Sequence, residues 1–313
     1  MEKISLVVSV YNEEQGLSEF YKVTDGVLRD FTASPEGAAY SYDFWFVNDG
    51  SRDRSGEILE ALHKETPDTV KVITFSRNFG HEAAMCAGLD YADGDYLIFL
   101  DADLQHPPQM VPRIMEKFAA GAEVINMVRT RNETAGAWKN LTSRLYYSLM
   151  NRLSEVHLEP NASDFFALRK NAAEVLRKSY RNRVRFLRGY VQNIGFQKET
   201  IDYEAAERVA GKSHYNFGKL FRLSVDTLVC FSDFPLKAGI YAGFLSAVLG
   251  IALIIYTLLT RKGAPSGYAT IVIVLCFMFA MLFFILGIAG RYIQMLVDEM
   301  KDRPVYIVKN IEE

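Results

Sequence analysis

The sequence predicts an α/β protein: a mostly parallel sheet with helices on both faces, followed by a helical hairpin long enough to cross a membrane. Three observations predict it. Short apolar, β-branched runs alternate with helical stretches through the first half of the chain. A cluster of polar residues follows each run, at the strand ends where open α/β sheets bind ligands. The last quarter holds two uncharged apolar blocks, Ala238–Thr260 and Gly263–Gly290.

The elements follow in order. Ile4–Val10 is a buried strand rich in β-branched residues. Tyr11, Asn12, Glu13 and Glu14 come next, and the two glutamates are expected to open a helix through Phe31, since acidic residues suit a first turn. Tyr42–Val47 is a second strand, ending in the polar run Asn48–Ser55. Gly56–Glu65 is a helix, Val70–Phe75 a third strand, and Ser76–Gly80 a turn into a helix over His81–Ala92. Gly94 ends that helix, and Tyr96–Leu100 is a fourth strand. A helix to Ala120 and a strand over Glu123–Met127 complete this part. Trp138–Ser154 reads as a helix with a leucine stripe at i+4 spacing. Asn161–Leu168 carries Ser163, Asp164, Phe165 and Phe166. The basic run Arg177–Arg188 is either a solvated face or a functional one. Ile194–Tyr203 is a strand or hairpin, Arg208–Phe217 a loop, and Tyr215–Phe234 a segment suited to a membrane surface.

The fourth strand runs into Asp101, Asp103, Gln105 and His106 before Pro107 and Pro108 stop it. In an extended segment residues i and i+2 point the same way. Asp101 and Asp103 could therefore offer two carboxylates to one hard cation, Mg²⁺ or Mn²⁺, which also takes phosphate oxygens. A bare Asp-x-Asp also occurs as an acidic turn. His106 reads as a turn histidine hydrogen-bonded locally.

The net charge of −3 over 313 residues argues against nucleic acid as a partner. Three distant cysteines suggest neither a zinc site nor a disulfide framework. The N-terminal apolar run is too short for a signal peptide and turns acidic at once. Each long apolar block meets the ~20 residues that span a bilayer. The connector Arg261–Tyr268 is short, so the two form a hairpin. Lys237, Arg291, Lys301 and Arg303 fall on the side of the preceding domain, which the positive-inside rule places in the cytoplasm.

The motifs SVYNEE, VNDGSRDRS, RNFGHEAAMCAGLDYADGD, DADLQHPP, SDF and RVAGKSHYNFGKL, followed by an apolar pair, resemble the polyprenyl-phosphate glycosyltransferases of glycosyltransferase family 2. The resemblance covers nearly the whole chain. It implies a GT-A, Rossmann-like nucleotide-sugar domain over 1–214, an interfacial segment over 215–236, two transmembrane helices over 237–292 and a cytoplasmic tail over 293–313. It implies metal-dependent, inverting transfer of a hexose to undecaprenyl phosphate, with glucose from UDP-glucose the first choice and N-acetylglucosamine, galactose or mannose as alternatives. The product would serve cell-surface glycans. The implied setting is the plasma membrane, with a homo-oligomer, a downstream flippase and a glycan-modifying transferase as partners.

By the same resemblance Tyr11, Asn12, Glu14, Asp49, Gly50 and Arg77 bind the nucleotide, Gly50 by letting the backbone approach the base. Asp101 and Asp103 hold the metal. Arg208, Lys212 and Ser213 clamp phosphate. Asp164 is the catalytic base or a positioner of the acceptor. Gln105, His81, Arg129 and Arg131 lie near the reactants. Two residues depart from the family pattern: His214 stands where lysine is common, and Phe166 where arginine is common. A catalytically idle nucleotide-sugar sensor or membrane scaffold is the alternative class. A processive synthase is disfavoured because its QxxRW motif is missing.

Overall fold

The computed structural model describes residues 1–130, 159, 162–181, 186–204, 234–259 and 267–313. The helix expected over 138–154, Arg131, His214, the loop carrying Arg208, Lys212 and Ser213, and nearly all of the segment 215–234 and the connector 261–268 lie outside the described residues. The described chain forms two compact units. One comprises residues up to Glu204 together with Pro304–Glu313, and the other runs from Phe234 to Arg303.

The first unit is built on an eight-stranded sheet. Its strands are β1 (Glu2–Val10), β2 (Tyr40–Asn48), β3 (Val70–Phe75), β4 (Tyr96–Asp101), β5 (Val124–Arg129), β6 (Ala162–Arg169), β7 (Lys198–Tyr203) and β8 (Val308–Glu312). Their order is β7-β5-β6-β4-β1-β2-β3-β8. The pairs β4-β1, β1-β2, β2-β3 and β5-β7 are parallel. β6 runs antiparallel to both β4 and β5, and β8 antiparallel to β3. The connecting helices are α1 (Leu17–Ala33), α2 (Ser55–Glu65), α3 (His81–Tyr91), α4 (Val111–Ala119), α5 (Lys170–Ser179) and α6 (Leu187–Asn193).

Strand alternation sorts the core. Ile4, Leu6, Val8 and Val10 of β1 join Phe44 and Phe46 of β2 in one apolar cluster with Phe20 of α1 and Ile114 and Phe118 of α4. Each such side chain, fully buried, contributes roughly 1.5–3 kcal/mol. The opposite face of β1 meets α3 so closely that a Cβ on Gly88 would lie 2.0 Å from Val7 Cγ1. Helices thus cover both faces, as expected.

The expected early start of α1 is not found. The helix opens at Leu17 because the preceding backbone is held elsewhere. Asn12 takes a positive φ of 57°. The Glu13 amide donates to Ser55 Oγ at 2.9 Å and the Glu14 amide to Asp53 at 3.1 Å. The basic run 177–188 is not a plain solvated face either. Arg177 donates to the carbonyls of Leu89 and Ala92, and Arg181 pairs with Asp90 at 2.5 Å.

The second unit contains α7 (Phe234–Leu259) and α8 (Tyr268–Met300). Within α8, Phe277–Met300 is a 24-residue stretch long and apolar enough to cross a membrane. Its phenylalanine side chains face outward, with Phe283 67% and Phe284 70% exposed.

Candidate active site

Register builds the site. Pairing of β1 with β4 sets Ser9 beside Asp101, and pairing with β2 sets Val10 beside Asn48. The C-terminal ends of the parallel strands therefore share one edge. β6 is antiparallel, so it brings its N-terminal end to that edge, with Asp164 two residues before the Phe166 that faces Phe99 of β4. The chain thereby delivers two carboxylates, Asp101 and Asp164, from strands far apart in sequence.

Between them stands His81, the first residue of α3. Its Nε2 lies 3.7 Å from Asp101 Oδ1 and 3.7 Å from Asp164 Oδ2. Its Nδ1 lies 2.9 Å from Ser9 Oγ, and the Ser9 hydroxyl donates to Asp101 at 3.3 Å. Burial opposes charge on this imidazole, but the Asp101 and Asp164 carboxylates outweigh it and hold its pKa above the ordinary value. Arg188 approaches Asp164 from the other side, 3.7 Å away, and donates to the carbonyl of Ala162 at 3.0 Å. Glu82 accepts a hydrogen bond from the Leu187 amide at 2.9 Å. Ser9, Glu82 and Arg188 were not among the residues expected from the sequence.

Asp101 closes β4, but Asp103 lies in the turn beyond it, so the strand-alternation argument does not reach Asp103. Leu104 has a φ of 59°, which marks the reversal. Asp103 accepts the Gln105 amide at 3.0 Å, and Gln105 accepts from Arg129 at 3.1 Å. His106 is buried; its Nδ1 accepts the Asp101 amide at 3.1 Å, its ring stacks on Phe165, and burial lowers its pKa. It is the locally bonded turn histidine that was expected. Asp101 and Asp103 are both half-buried, and their oxygens match the donor set of a hard divalent cation. Among the described residues no three His, Cys, Asp or Glu side chains are grouped to hold an ion. A cation here would need further oxygens from a ligand or from water.

The loops that follow β1, β2 and β3 brace one another. Asn12 donates its amide to Ser51 Oγ and accepts the Arg52 amide at 2.8 Å, and Glu14 accepts the Arg54 amide at 3.1 Å. Tyr11 stays exposed. Asp49 is buried and grips the loop after β3. It accepts the Phe79 amide at 2.6 Å, the Gly80 amide at 2.9 Å and Asn78 Nδ2 at 2.9 Å. Gly50 has a φ of 63°, and a Cβ there would stand 2.4 Å from the Arg77 carbonyl carbon. Gly50 therefore allows a close approach to the 77–78 backbone. Arg77 lies over the Phe79 ring at 4.0 Å.

An α/β sheet that collects carboxylates, a histidine and an arginine at the C-terminal ends of its parallel strands has them where open α/β sheets bind ligands. The comparisons define the class. Residues 5–177 match Glycosyl transferase family 2. A bactoprenol glucosyl transferase of Shigella phage SfV is 37% identical, over 98% of each chain. An uncharacterized glycosyltransferase of Bacillus subtilis is 35% identical, over 97% of this chain and 93% of its own. Glucosyl-3-phosphoglycerate synthase from Mycobacterium tuberculosis, solved with Mn²⁺, UDP and phosphoglyceric acid, is similar at TM-score 0.48 and 16% identity, over 73% of this chain and 76% of its own. The chain belongs to glycosyltransferase family 2, and it is a glycosyltransferase with a GT-A-like α/β fold.

Proposed function

We propose that the protein transfers glucose from UDP-glucose to undecaprenyl phosphate, with inversion, at a membrane. The observation that carries this reading is full-length similarity to a bactoprenol glucosyl transferase, through both the sheet unit and the apolar helices. Tyr11 offers an exposed ring to the base. Asp49 has about four lone-pair positions and spends three on the 78–80 loop, which leaves one for a base N–H. Asp101 and Asp103 would hold Mg²⁺ or Mn²⁺ together with the donor diphosphate. When bound, the cation supplies Lewis-acid stabilisation of charge on the leaving nucleotide. Arg208, Lys212 and Ser213 would clamp phosphate.

The acceptor is a phosphate monoester with a second pKa near ~6, so it is an oxyanion nucleophile at neutral pH. One of its oxygens bonds to the sugar C1 as the C1–O bond to UDP breaks on the opposite face. The electron pair leaves with UDP, and no proton need move. Asp164, set between His81 and Arg188, therefore orients the acceptor site rather than taking a proton. In support, Asp164→Asn is expected to retain measurable turnover and keep the acidic limb of the kcat profile near pH ~6. A fall of more than ~10⁴ with loss of that limb would make Asp164 the base.

The outward-facing apolar side chains of α7 and α8 support two membrane spans, and Lys237, Arg291, Lys301 and Arg303 support a cytoplasmic sheet unit. The deciding experiment presents purified protein with UDP-glucose, UDP-N-acetylglucosamine, UDP-galactose and GDP-mannose, with and without undecaprenyl phosphate, in Mg²⁺, Mn²⁺ or EDTA. Lipid-dependent use of UDP-glucose that EDTA abolishes is expected. Preference for another donor replaces the sugar. Donor binding without turnover on any lipid phosphate would leave the sensor reading standing.

A further inference from the structure

Tyr306 and β8 are made after α8 in the chain, yet they pack into the sheet unit. β8 adds to the free edge of β3, pairing Val72 with Glu312 and Phe75 with Val308. The Ser76 amide donates to the Ile307 carbonyl at 2.9 Å, so the pairing continues one residue beyond β3. The Tyr306 ring stacks on Phe75, with centroids 5.1 Å apart and planes 10° apart. Its hydroxyl donates to Asp90 Oδ2 at 2.6 Å, near the end of α3, where Arg181 holds Oδ1. Burial, then the Asp90 bond, push the Tyr306 phenol pKa up, so it remains a donor.

These contacts bracket one loop. Residues 76–80 leave β3 beside Tyr306 and enter α3, whose far end Tyr306 also holds. Phe75 passes the contact inward by meeting Phe79 edge-on at 5.7 Å. The same loop donates two amides and one side-chain N–H to Asp49, and it ends where His81 faces Asp101 and Asp164. Gly80 holds a φ of 102°, a conformation that other residues rarely adopt.

We infer that the segment Pro304–Glu313, acting through Tyr306 and β8, is a positioning element of the donor site: it holds the 76–80 loop in the position from which that loop grips Asp49 and presents His81. The inference rests on the reading that the Asp49 side of the sheet receives the donor nucleotide. Tyr306 touches no reactant. It acts through Phe75 and Asp90, so its loss changes donor affinity rather than the chemical step.

The test uses the full chain in detergent, with UDP as the probe. For Tyr306→Ala, hydrogen exchange at the Phe79 and Gly80 amides is expected to quicken, because a locally loosened segment opens more often. UDP affinity is expected to fall and donor KM to rise by about five- to tenfold, with kcat within about twofold. Tyr306→Phe keeps the ring stack and loses the hydroxyl, and should fall between the two. A purely structural role would lower the melting temperature and leave the KM of folded enzyme unchanged. Unchanged exchange at Phe79 and Gly80, or unchanged UDP affinity, in folded Tyr306→Ala overturns the inference. Should that variant not fold, Tyr306→Phe decides by the same two readings. A wild-type protein that binds GDP and not UDP revises the nucleotide, and the affinity arm is then run with GDP. The exchange arm judges the segment in either case.

Discussion

Aromatic side chains meet opposite fates in the two units. In the sheet unit Phe44 and Phe46 have no exposed surface. In the helical unit Phe283 and Phe284 are about two-thirds exposed. Both units contain apolar runs, but only in the helical unit are these runs long and uncharged. The sheet unit supplies its own cover, because helices pack on both faces of its central strands. The helical unit turns a long apolar surface outward, and such a surface is stable only against hydrocarbon or another protein. Apolarity thus specifies a fold in one unit and, in the proposed reading, an address in the other.

The comparison can be broken in three ways. The largest effect concerns activity. If the chemistry belongs to the sheet unit and Asp103 lies outside its core, Asp103→Ala should cut turnover by about 10³-fold or more and leave the melting temperature in place. Near-normal activity of this variant in EDTA would remove Asp103 from the proposed metal site. The second effect concerns packing. Phe44→Ala should cost the sheet unit about 3–5 kcal/mol in denaturant titrations. Phe284→Ala, measured on the same transition, should cost it nothing resolvable, and equal losses would end the distinction between the units.

The smallest effect sharpens the comparison within the sheet unit, where burial also falls on charged groups. Burial, with the Asp164 charge added, pushes the Glu82 carboxyl up to about 7 from an ordinary 4.5. The folded state then keeps a proton that the unfolded chain has released, so stability falls as pH rises from the unfolded to the folded value. Glu82→Gln cannot titrate. Its melting temperature should decline less than that of wild type between about pH 4.5 and 7. Parallel curves would show that Glu82 titrates alike in both states.

What the sequence made legible was local. The runs ISLVVSV, VKVITF and YLIFL each carry their own strand signal, and all three form strands. Polar residues at strand ends were placed by the same local signal, with Asp49 directly after β2 and Asp101 closing β4. The rest depends on topology. Arg188 of α6 reaches Asp164 of β6 with α5 between them in the chain, and Ser9 meets His81 across 72 residues. Asp164 sits on a strand that its own stretch did not announce. β8 was least legible: VKNIE is short and polar, and only its pairing with β3 makes it a strand.

That pairing also bears on biosynthesis. A ribosome makes β3 early and β8 only after both apolar helices, so each nascent chain carries β3 with a bare outer edge until α8 has been made. Unpaired strand edges are templates for association with other chains. The order of synthesis therefore creates a window of aggregation risk. It closes only once the helical unit and then β8 have been translated.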